Sequence, residues 1–534
     1  MQGQRGGGPT VVLSEESERA SGEDARAMNV SAARAVADAV RTTLGPKGMD
    51  KLLLDSSGNV VVTNDGVTLL EEMDIDHPAA DLLVEVAETQ EAEVGDGTTS
   101  AVVLAGELLA EADDLLERGV AASTVTAGYA EAAERAQAFL AEHADPVDPD
   151  DTETLEAIAA TALSGKGAEA AQDHLASLVV AAVEVATRPD GGVDRDAAVV
   201  RSFPGGSLTD SRFVDGALVD VDAPHEGMPR QFEDASVLVY EGDIEAPEVD
   251  DATATVGDFE AAEAFVEREQ AELDGMVDHL VGTGADVVLA DGGIDDRALA
   301  RFADAGVLAL RRVDEEDRAH VAAATGATRV SSLADATAAD LGHAGRVEQE
   351  RIRAYGYTHD AEPERTFVFS DGAGGEVGTV LLRGGTEHVL DEVERAVTDA
   401  LGVVSAAIEC GAVLPGAGAP EIELAGRLRD YADGVEGREQ LAVEAFADAL
   451  DVGPRTLAEN AGHDPIDALV ALRAAHAGGD GHAGFDADTG GVLDAFEAGV
   501  VEPLRVKTTA VEAAMDAATM LLRIDDVVSA SDLP

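Results

Sequence analysis

The sequence predicts a multidomain α+β protein in which two mostly helical regions, one near each end of the chain, enclose a central α/β region. Three observations support this prediction. A chain of 534 residues is too long for one hydrophobic core and indicates about three domains. Near both ends, apolar residues recur at the three- and four-residue spacing of amphipathic helices. In the centre, short apolar runs alternate with helical patterns, as they do in α/β domains.

The first region, up to about residue 148, contains four helical patterns. Apolar periodicity predicts helices over residues 29–43, 78–93, 98–118 and 123–142. The segment SSGNVVVTNDG, between the first two, is typical of a β-hairpin. The segment DPVDPDD then interrupts the periodicity, so a domain boundary is expected there.

The central region is predicted to alternate strands and helices. The runs ADVVLA and GVLAL are typical of strands, and helices are predicted after Asp295 and Glu315. A longer helix is expected to begin at Asp258, a suitable N-cap, and to end at Gly282 and Gly284. Its apolar stripe is either part of the core or a surface for another polypeptide.

A second mostly helical region covers residues 402–518 and is followed by the strand-like run LLRIDDVVSA. Helical regions at opposite ends of the chain, with a mixed region between them, predict nested insertions. The polar segment GDIEAPEVDDATATVG, which precedes the long central helix, is predicted to project from the fold.

The chain is strongly acidic. It carries 107 Asp and Glu residues against 36 Lys and Arg residues, a formal net charge of -71. The acidic residues are spread along the chain, between the apolar positions of helices, and form no separate tail. This distribution is typical of a cytoplasm with molar salt, where the salt screens the mutual repulsion of surface carboxylates.

Lysine is rare. The sequence contains Lys47, Lys51, Lys166 and Lys507, all in or beside the motifs described below. We interpret them as positions that need a compact cation, although a set of this size could also arise by chance.

The composition argues against several classes of protein. Because Lys and Arg form no cluster in the sequence, nucleic acid is not an expected partner. No apolar run is long enough to span a bilayer and no signal peptide is recognised, so we expect a cytoplasmic protein without a membrane partner. The single Cys410 excludes an internal disulfide and is expected to be a small buried hydrophobic residue.

Three loops rich in Gly and Asp predict a nucleotide site. They are LGPKGMDK at residues 44–51, NDGVT at residues 64–68 and GDGTTS at residues 95–100. Small residues let backbone N–H groups approach a phosphate, and a loop Asp can hold a cation. None of the loops is a Walker A motif. Taken alone, GDGTTS would be read as a turn in which Thr98 or Ser100 caps a helix.

These loops and six further motifs resemble those of the group II chaperonins, of which the archaeal thermosome and the eukaryotic cytosolic chaperonin are members. The resemblance covers nearly the whole chain and follows the family's order of motifs. The motifs are RTTLGPKGMDK, TNDGVT, EVGDGTTSAVVLAGELL, GIDDRAL, LRRVDEEDRAHVAAATGA, LLRGGTEHVLDEVERAVTDAL, FADAL, PRTLAENAGHDPID and VEPLRVKT. Together with the acidic composition, they indicate similarity to the subunits of extremely halophilic archaea.

The resemblance implies a multidomain α+β chaperonin fold with three domains. Residues 1–148 and 402–534 would form a mostly helical equatorial ATP-binding domain. Residues 149–215 and 367–401 would form a small α/β intermediate domain. The α/β apical substrate-binding domain would comprise residues 216–366, with a helical lid protrusion at about residues 242–270.

The resemblance also implies a site for ATP and Mg²⁺. The phosphates would be bound by Leu44, Gly45, Pro46, Gly66, Gly97, Thr98, Thr99 and Ser100, and the base and ribose by Gly416, Ala417, Gly418 and Glu502. Asp96 would be the Mg²⁺ ligand, since this hard cation prefers carboxylate oxygen. The family usually has three consecutive glycines where this chain has Gly416, Ala417 and Gly418, and the added methyl group could tighten or tilt the base pocket.

Three further residues receive roles in hydrolysis from the resemblance. Asp65 and Asp399 would orient and activate the attacking water, and Lys166 would contact the γ-phosphate. Taken singly, Asp65 would be interpreted as a hairpin-turn residue and Asp399 as a solvated helix residue.

The function that these features predict is an ATP-dependent chaperone that binds non-native polypeptides. Its subunits, alone or with paralogues, would form two stacked rings with a lid. One alternative is a stand-alone ATP-using enzyme, which would need a second polar cluster that the central region does not display. The other is a structural ring protein that binds nucleotide, against which Asp65, Asp96 and Asp399 argue.

The acidic composition generates a testable prediction about assembly. We expect rings of this protein to be intact in molar KCl and to dissociate in millimolar salt, because the carboxylates then repel one another without screening. Light scattering during dialysis would measure the change in particle mass. Rings that persist unchanged in millimolar salt would contradict this prediction.

Overall fold

The computed structural model describes residues 18–54, 60–73, 75, 77–245, 259–352, 364–375, 377–524 and 526–529. The chain forms two compact units, one from Met1–Val147 with Cys410–Pro534 and the other from Asp148–Glu409. The first unit therefore combines both ends of the chain, as nested insertions require. Asp258 and most of the predicted projecting segment lie outside the described residues.

The first part of the first unit is mostly helical. Its elements are β1 (Glu18–Ser21), α1 (Glu23–Arg41), β2 (Lys51–Leu54), β3 (Val60–Thr63), α2 (Gly66–Glu71), α3 (Pro78–Val94), α4 (Thr98–Glu117), α5 (Ala122–His143) and β4 (Asp145–Pro146). The four helices predicted here are confirmed as α1, α3, α4 and α5. A hairpin is present but is displaced from the predicted segment, since β3 lies within residues 56–66 whereas its partner β2 precedes them.

The second unit follows. Its elements are α6 (Thr152–Leu163), α7 (Gln172–Ala186), β5 (Ala198–Pro204), β6 (Arg212–Val219), β7 (Gln231–Tyr240), α8 (Phe259–Gly282), β8 (Val287–Ala290), α9 (Asp296–Ala305), β9 (Leu308–Leu310), α10 (Glu315–Thr325), β10 (Arg329–Val330), β11 (Gly342–Ile352), β12 (Glu364–Gly372), β13 (Gly378–Gly384) and α11 (Glu387–Cys410). The strands and helices predicted for the central region are confirmed as β8, α9, β9 and α10.

The chain then returns to the first unit. The remaining elements are β14 (Ala412–Pro415), α12 (Ala419–Ala432), α13 (Glu439–Leu450), α14 (Val452–Asn460), α15 (Pro465–Ala477), β15 (Ala483–Phe485), β16 (Val492–Asp494), β17 (Val501–Pro503), α16 (Leu504–Leu522) and β18 (Asp526–Ser529). The prediction of a strand over LLRIDDVVSA is wrong in its first part, because α16 continues to Leu522 and places Leu521 and Leu522 in the core.

Helix α4 lies at the centre of the first unit. It packs against α1 and α3 from the first part of the chain and against α13 and α16 from the last part. Gly106 allows α1 to come close, since a Cβ atom at this position would lie 2.4 Å from the Cβ of Ala37. Tyr129 on α5 is buried edge-on against Phe446, and its hydroxyl group donates a hydrogen bond to the Leu108 carbonyl oxygen at 2.7 Å. One core therefore joins the two ends of the chain.

The second unit is built on a nine-stranded sheet. The strand order is β5-β13-β6-β12-β11-β7-β8-β9, with β10 paired to β7. Parallel pairs at both ends of this order enclose an antiparallel middle. The predicted limits of the apical domain, at residues 216 and 366, fall inside the paired strands β6 and β12.

The remaining two expectations concern membranes and Cys410. No helix in the described part of the chain is long and apolar enough to cross a bilayer. Cys410 is less buried than expected, and its thiol donates a hydrogen bond to the Ala412 carbonyl oxygen at 3.3 Å.

Candidate functional site

The predicted phosphate loop GDGTTS connects α3 to α4 through two left-handed glycines. Gly95 has φ 83° and Gly97 has φ 82°, a conformation that costs other residues about 1 kcal/mol. A Cβ atom on Gly97 would also lie 2.8 Å from Nε2 of the buried Gln90. Thr98 and Thr99 are buried in the first turn of α4. Because the first N–H groups of a helix have no partner within it, this turn can bind an anion.

The two other predicted loops approach the same turn. A Cβ atom on Gly66 would lie 2.6 Å from the Thr99 hydroxyl oxygen, so NDGVT lies directly against α4. The hydroxyl oxygen of Thr43, which precedes Leu44, is 3.5 Å from that of Thr99. The three loops therefore converge on Thr99.

Asp65 is fixed at the beginning of α2. Its Oδ2 accepts a hydrogen bond from the Thr68 N–H at 2.8 Å, and its own N–H donates to Thr63 Oγ1 at 3.0 Å. Asp65 thus caps a helix that follows β3, and the interpretation as a hairpin-turn residue is wrong. The cap holds the carboxylate next to Gly66, in the loop that meets Thr99.

The loop at Leu44, Gly45 and Pro46 is held by α14. Asn460 Nδ2 donates hydrogen bonds to the carbonyl oxygens of Leu44 at 2.9 Å and Arg41 at 3.1 Å. Gly45 has φ 83°, and a Cβ atom there would lie 2.2 Å from Leu457 Cδ2. Only glycine allows the loop to pass this close to α14.

The predicted base and ribose residues form a second group in the first unit. Gly416, Ala417 and Gly418 connect β14 to α12, and Glu502 lies on β17, which pairs with β14. A Cβ atom on Gly416 would lie 3.1 Å from Glu502 Oε1. The structure therefore brings these four residues together.

Ala417 is one of four non-glycine residues with positive φ in the described part of the chain, at φ 57°. Its methyl group faces Gly484 on β15, where a Cβ atom would lie only 2.7 Å from it. The Phe485 N–H donates to the Ala417 carbonyl oxygen at 2.8 Å. The methyl group thus packs on the β15–β16 hairpin, for which Gly484 leaves space.

A buried ion pair connects α12, β17 and α16. Lys507 Nζ lies 2.7 Å from Glu421 Oε1 and 2.8 Å from Glu502 Oε2. Burial acts to lower the pKa of Lys507, but the two carboxylates outweigh it and raise the pKa. Burial raises the pKa of Glu502, while Lys507 acts in the opposite direction.

The second unit brings together the two other predicted residues. Lys166 lies in the loop that follows α6, and its Nζ is 2.8 Å from Oδ2 of Asp399 on α11. Asp399 is only 7% exposed. The interpretation of Asp399 as a solvated helix residue is therefore wrong.

The described residues also limit how a metal ion could be held. Among them, no group of three or more His, Cys, Asp and Glu side chains is arranged to hold a metal ion. Mg²⁺ commonly binds through one or two carboxylates together with phosphate oxygens. Asp96, beside the first turn of α4, fits that arrangement as a single protein ligand.

Sequence reasoning missed Gln90, Asn460 and Glu421, and it singled out Lys507 without identifying its partners. Gln90 Nε2 donates to the carbonyl oxygens of Asp96 at 2.7 Å and Val506 at 3.2 Å. Asn460 holds the Leu44 loop, and Glu421 and Lys507 hold Glu502. Polar residues inside apolar helical patterns were the available signal, but their partners lie far away in the sequence.

Comparison with known proteins identifies the family. The family model of the TCP-1/cpn60 chaperonin family matches residues 36–532. The chain belongs to the TCP-1/cpn60 chaperonin family. It is a molecular chaperone with the multidomain α+β chaperonin fold, as the sequence predicted.

Curated chaperonins resemble the chain over its full length. The thermosome subunit alpha of Halobacterium salinarum is 55% identical over 534 residues, which cover 100% of this chain and 93% of the relative. Thermosome subunit 1 of Haloferax volcanii is 54% identical, with coverage of 99% and 92%. The thermosome subunit of Methanopyrus kandleri is 52% identical, with coverage of 99% and 96%. The first two are from halophilic archaea, in agreement with the acidic composition.

The contact between Ala417 and Gly484 generates a prediction. Gly484→Ala should raise the dissociation constant for nucleotide and lower the thermal unfolding midpoint, because the two methyl groups would overlap and displace the Ala417 loop, at a cost of about 1–3 kcal/mol. Adding Ala417→Gly should restore part of both losses, since it removes the opposing methyl group.

Gly426→Ala is the matched control, because a Cβ atom on this α12 residue meets no atom within 4 Å. It should leave the dissociation constant unchanged. A Gly484→Ala variant with an unchanged dissociation constant, or a double variant no better than the single one, would show that this contact does not position the loop.

Proposed function

We propose that this chaperonin binds ATP with Mg²⁺ in its first unit and uses ATP hydrolysis to enclose non-native polypeptides. The observation that carries the proposal is the convergence of three Gly-rich loops on Thr99, at the first turn of α4. Backbone N–H groups of this turn and the hydroxyl groups of Thr98, Thr99 and Ser100 would bind phosphate oxygens. Asp96 would ligate Mg²⁺, which neutralises phosphate charge.

Asp65 and Asp399 are the proposed residues for activating water, and Lys166 is the proposed contact of the γ-phosphate. Phosphoryl transfer requires mainly positioning and charge neutralisation from the protein. Two features support these roles: Asp65 is fixed by its helix cap, and buried Asp399 lies beside the Lys166 ammonium. Asp65 belongs to the first compact unit and Asp399 to the second, so each unit would supply one of the two carboxylates.

Assembly into two stacked rings, with itself or with paralogous subunits, is supported by the β2–β3 hairpin. In the described part of the chain, β2 and β3 pair only with each other. Leu52 is 69% exposed and Leu54 is 68% exposed on this hairpin. Exposed apolar residues on an open strand edge are typical of a protein–protein contact.

The proposed domains follow the expectations from the sequence. An equatorial domain would comprise residues 1–148 and 402–534, an intermediate domain residues 149–215 and 367–401, and an apical domain residues 216–366. The lid would comprise about residues 242–270. Ile244, which is bridged to Ile294, and α8, which begins at Phe259, flank the middle of this segment.

Substitution of Asp399 tests the catalytic proposal. Asp399→Asn and Asp399→Ala should retain ATP binding and assembly but lose turnover by about a hundredfold or more, as expected when a catalytic carboxylate is removed. Phosphate release would measure turnover, and equilibrium dialysis would measure binding.

Asp391→Ala is the matched control, because Asp391 is an exposed residue on the same helix. It should hydrolyse ATP at the wild-type rate. Near-normal turnover in both Asp399 variants would reject the assignment.

Electron microscopy in molar KCl with Mg²⁺ tests assembly and lid closure together. The wild type should form double rings that close when ATP is added. A variant lacking residues 246–255 should hydrolyse ATP but leave a bound polypeptide open to protease, because the lid segment is absent while the buried Ile244 is retained. Small oligomers without a response to ATP would contradict the ring proposal, and protease-resistant substrate in the deletion variant would contradict the lid.

A further inference from the structure

The proposed function supplies no role for Lys507, although its side chain is largely buried. Its side chain is 12% exposed, and those of its partners Glu421 and Glu502 are 17% and 18% exposed. Two carboxylates at this depth repel each other unless a cation lies between them. The Lys507 ammonium occupies that position, at 2.7 and 2.8 Å from the two oxygens.

The two carboxylate oxygens of Glu502 have different neighbours. Oε2 accepts from Lys507, while Oε1 faces the loop of Gly416, where a Cβ atom would lie 3.1 Å away. A carboxylate held at one oxygen by a buried cation presents its second oxygen in a fixed direction. Glu502 can therefore accept a hydrogen bond from a hydroxyl group placed against this loop.

The same turn of α16 is connected to the phosphate loop. Gln90 is fully buried, and its amide group donates to the carbonyl oxygens of Asp96 and Val506, the residue before Lys507. Gln90 thus ties the proposed Mg²⁺ loop to the backbone that carries Lys507. Displacement of one would disturb the other.

A small cavity lies beside Lys507, on the side of the phosphate loop. It has a volume of about 40 Å³, and its lining includes Leu44, Ser100, Glu421 and Lys507. Two proposed phosphate residues, Leu44 and Ser100, therefore border the same cavity as Glu421 and Lys507. Glu421 Oε2 is buried there without a hydrogen-bond partner among the described residues. A site with this much unsatisfied negative charge depends on Lys507 for its shape.

We propose that Lys507 is a positioning residue that aims Glu502 at a ribose hydroxyl group, so that the site discriminates ATP from 2′-deoxyATP. The inference rests on the proposed nucleotide site. Without Lys507, Glu421 and Glu502 repel each other and Glu502 turns away from the Gly416 loop. A substrate hydroxyl group then loses its acceptor, whereas a substrate without that hydroxyl group loses nothing.

The test measures kcat/KM of the assembled protein for ATP and 2′-deoxyATP, in wild type and Lys507→Met. The wild type should prefer ATP. Lys507→Met should lose about tenfold in kcat/KM for ATP, through KM, and change little for 2′-deoxyATP, because one hydrogen bond to a charged group is lost. Lys507→Arg, which retains the charge, should keep part of the preference.

Arg427→Met is the matched control. Arg427 on α12 also bridges two glutamates, Glu423 at 2.9 Å and Glu142 at 3.2 Å, outside the proposed site. Arg427→Met should leave the preference unchanged.

If Lys507→Met does not fold, the double variant Lys507→Met/Glu421→Gln replaces it. The double variant removes the repulsion between the two carboxylates and still leaves Glu502 without its cation. That variant should lose the preference too, while Glu421→Gln alone should keep it.

The outcomes separate this inference from the proposed function. A wild type that neither binds nor hydrolyses ATP would remove the proposed nucleotide site. A wild type that hydrolyses both nucleotides equally well would overturn the inference alone. The inference would also be overturned if Lys507→Met, or its double variant, kept the preference for ATP. It would be overturned as well if kcat/KM fell equally for both nucleotides, because an equal loss indicates only a structural role for Lys507.

Discussion

Helix α4 is buried on nearly every side. Its first N–H groups can bind a ligand only if this end of the helix remains accessible. Its body packs against helices from both ends of the chain, so its position depends on the whole first unit. Its first turn, in contrast, is surrounded by glycines and hydroxyl groups. The core therefore fixes the position of the first turn of α4, where the three loops converge.

Local patterns in the sequence were sufficient for most helices and strands, because amphipathic spacing is set by the residues themselves. The prediction of a strand was wrong at Leu521 and Leu522, because consecutive buried apolar residues occur both in strands and in core helices. The tight loops could be predicted from Gly45 and Gly97, which have left-handed backbones and close neighbours in the structure, while phosphate binding by these loops stays a prediction. Gln90, Asn460 and Lys507 could not be assigned, because their partners are brought near only by the fold.

The basic residues of this acidic chain occupy two kinds of position. Most of the basic residues are arginines, and many form ion pairs at partly exposed positions, such as Arg427 with Glu142 and Glu423. Lys166 and Lys507 instead lie against buried carboxylates. Arginine carries a broad, weakly hydrated charge, whereas an ammonium group is a compact one. Two of the four lysines thus lie where a compact cation contacts carboxylate oxygens that are largely withdrawn from solvent.

The sheet of the second unit has a mechanical consequence. The predicted limits of the apical domain fall within β6 and β12, which are hydrogen-bonded to each other, and not within linkers. At this place Gly216, with φ 140°, lets the Phe369 carbonyl oxygen approach to 1.9 Å from where a Cβ atom would stand. Motion between the two parts would therefore have to bend a continuous ladder of hydrogen bonds. Such a connection would resist displacement elastically and would return to its original geometry when the displacing force is removed. A flexible linker would not do so.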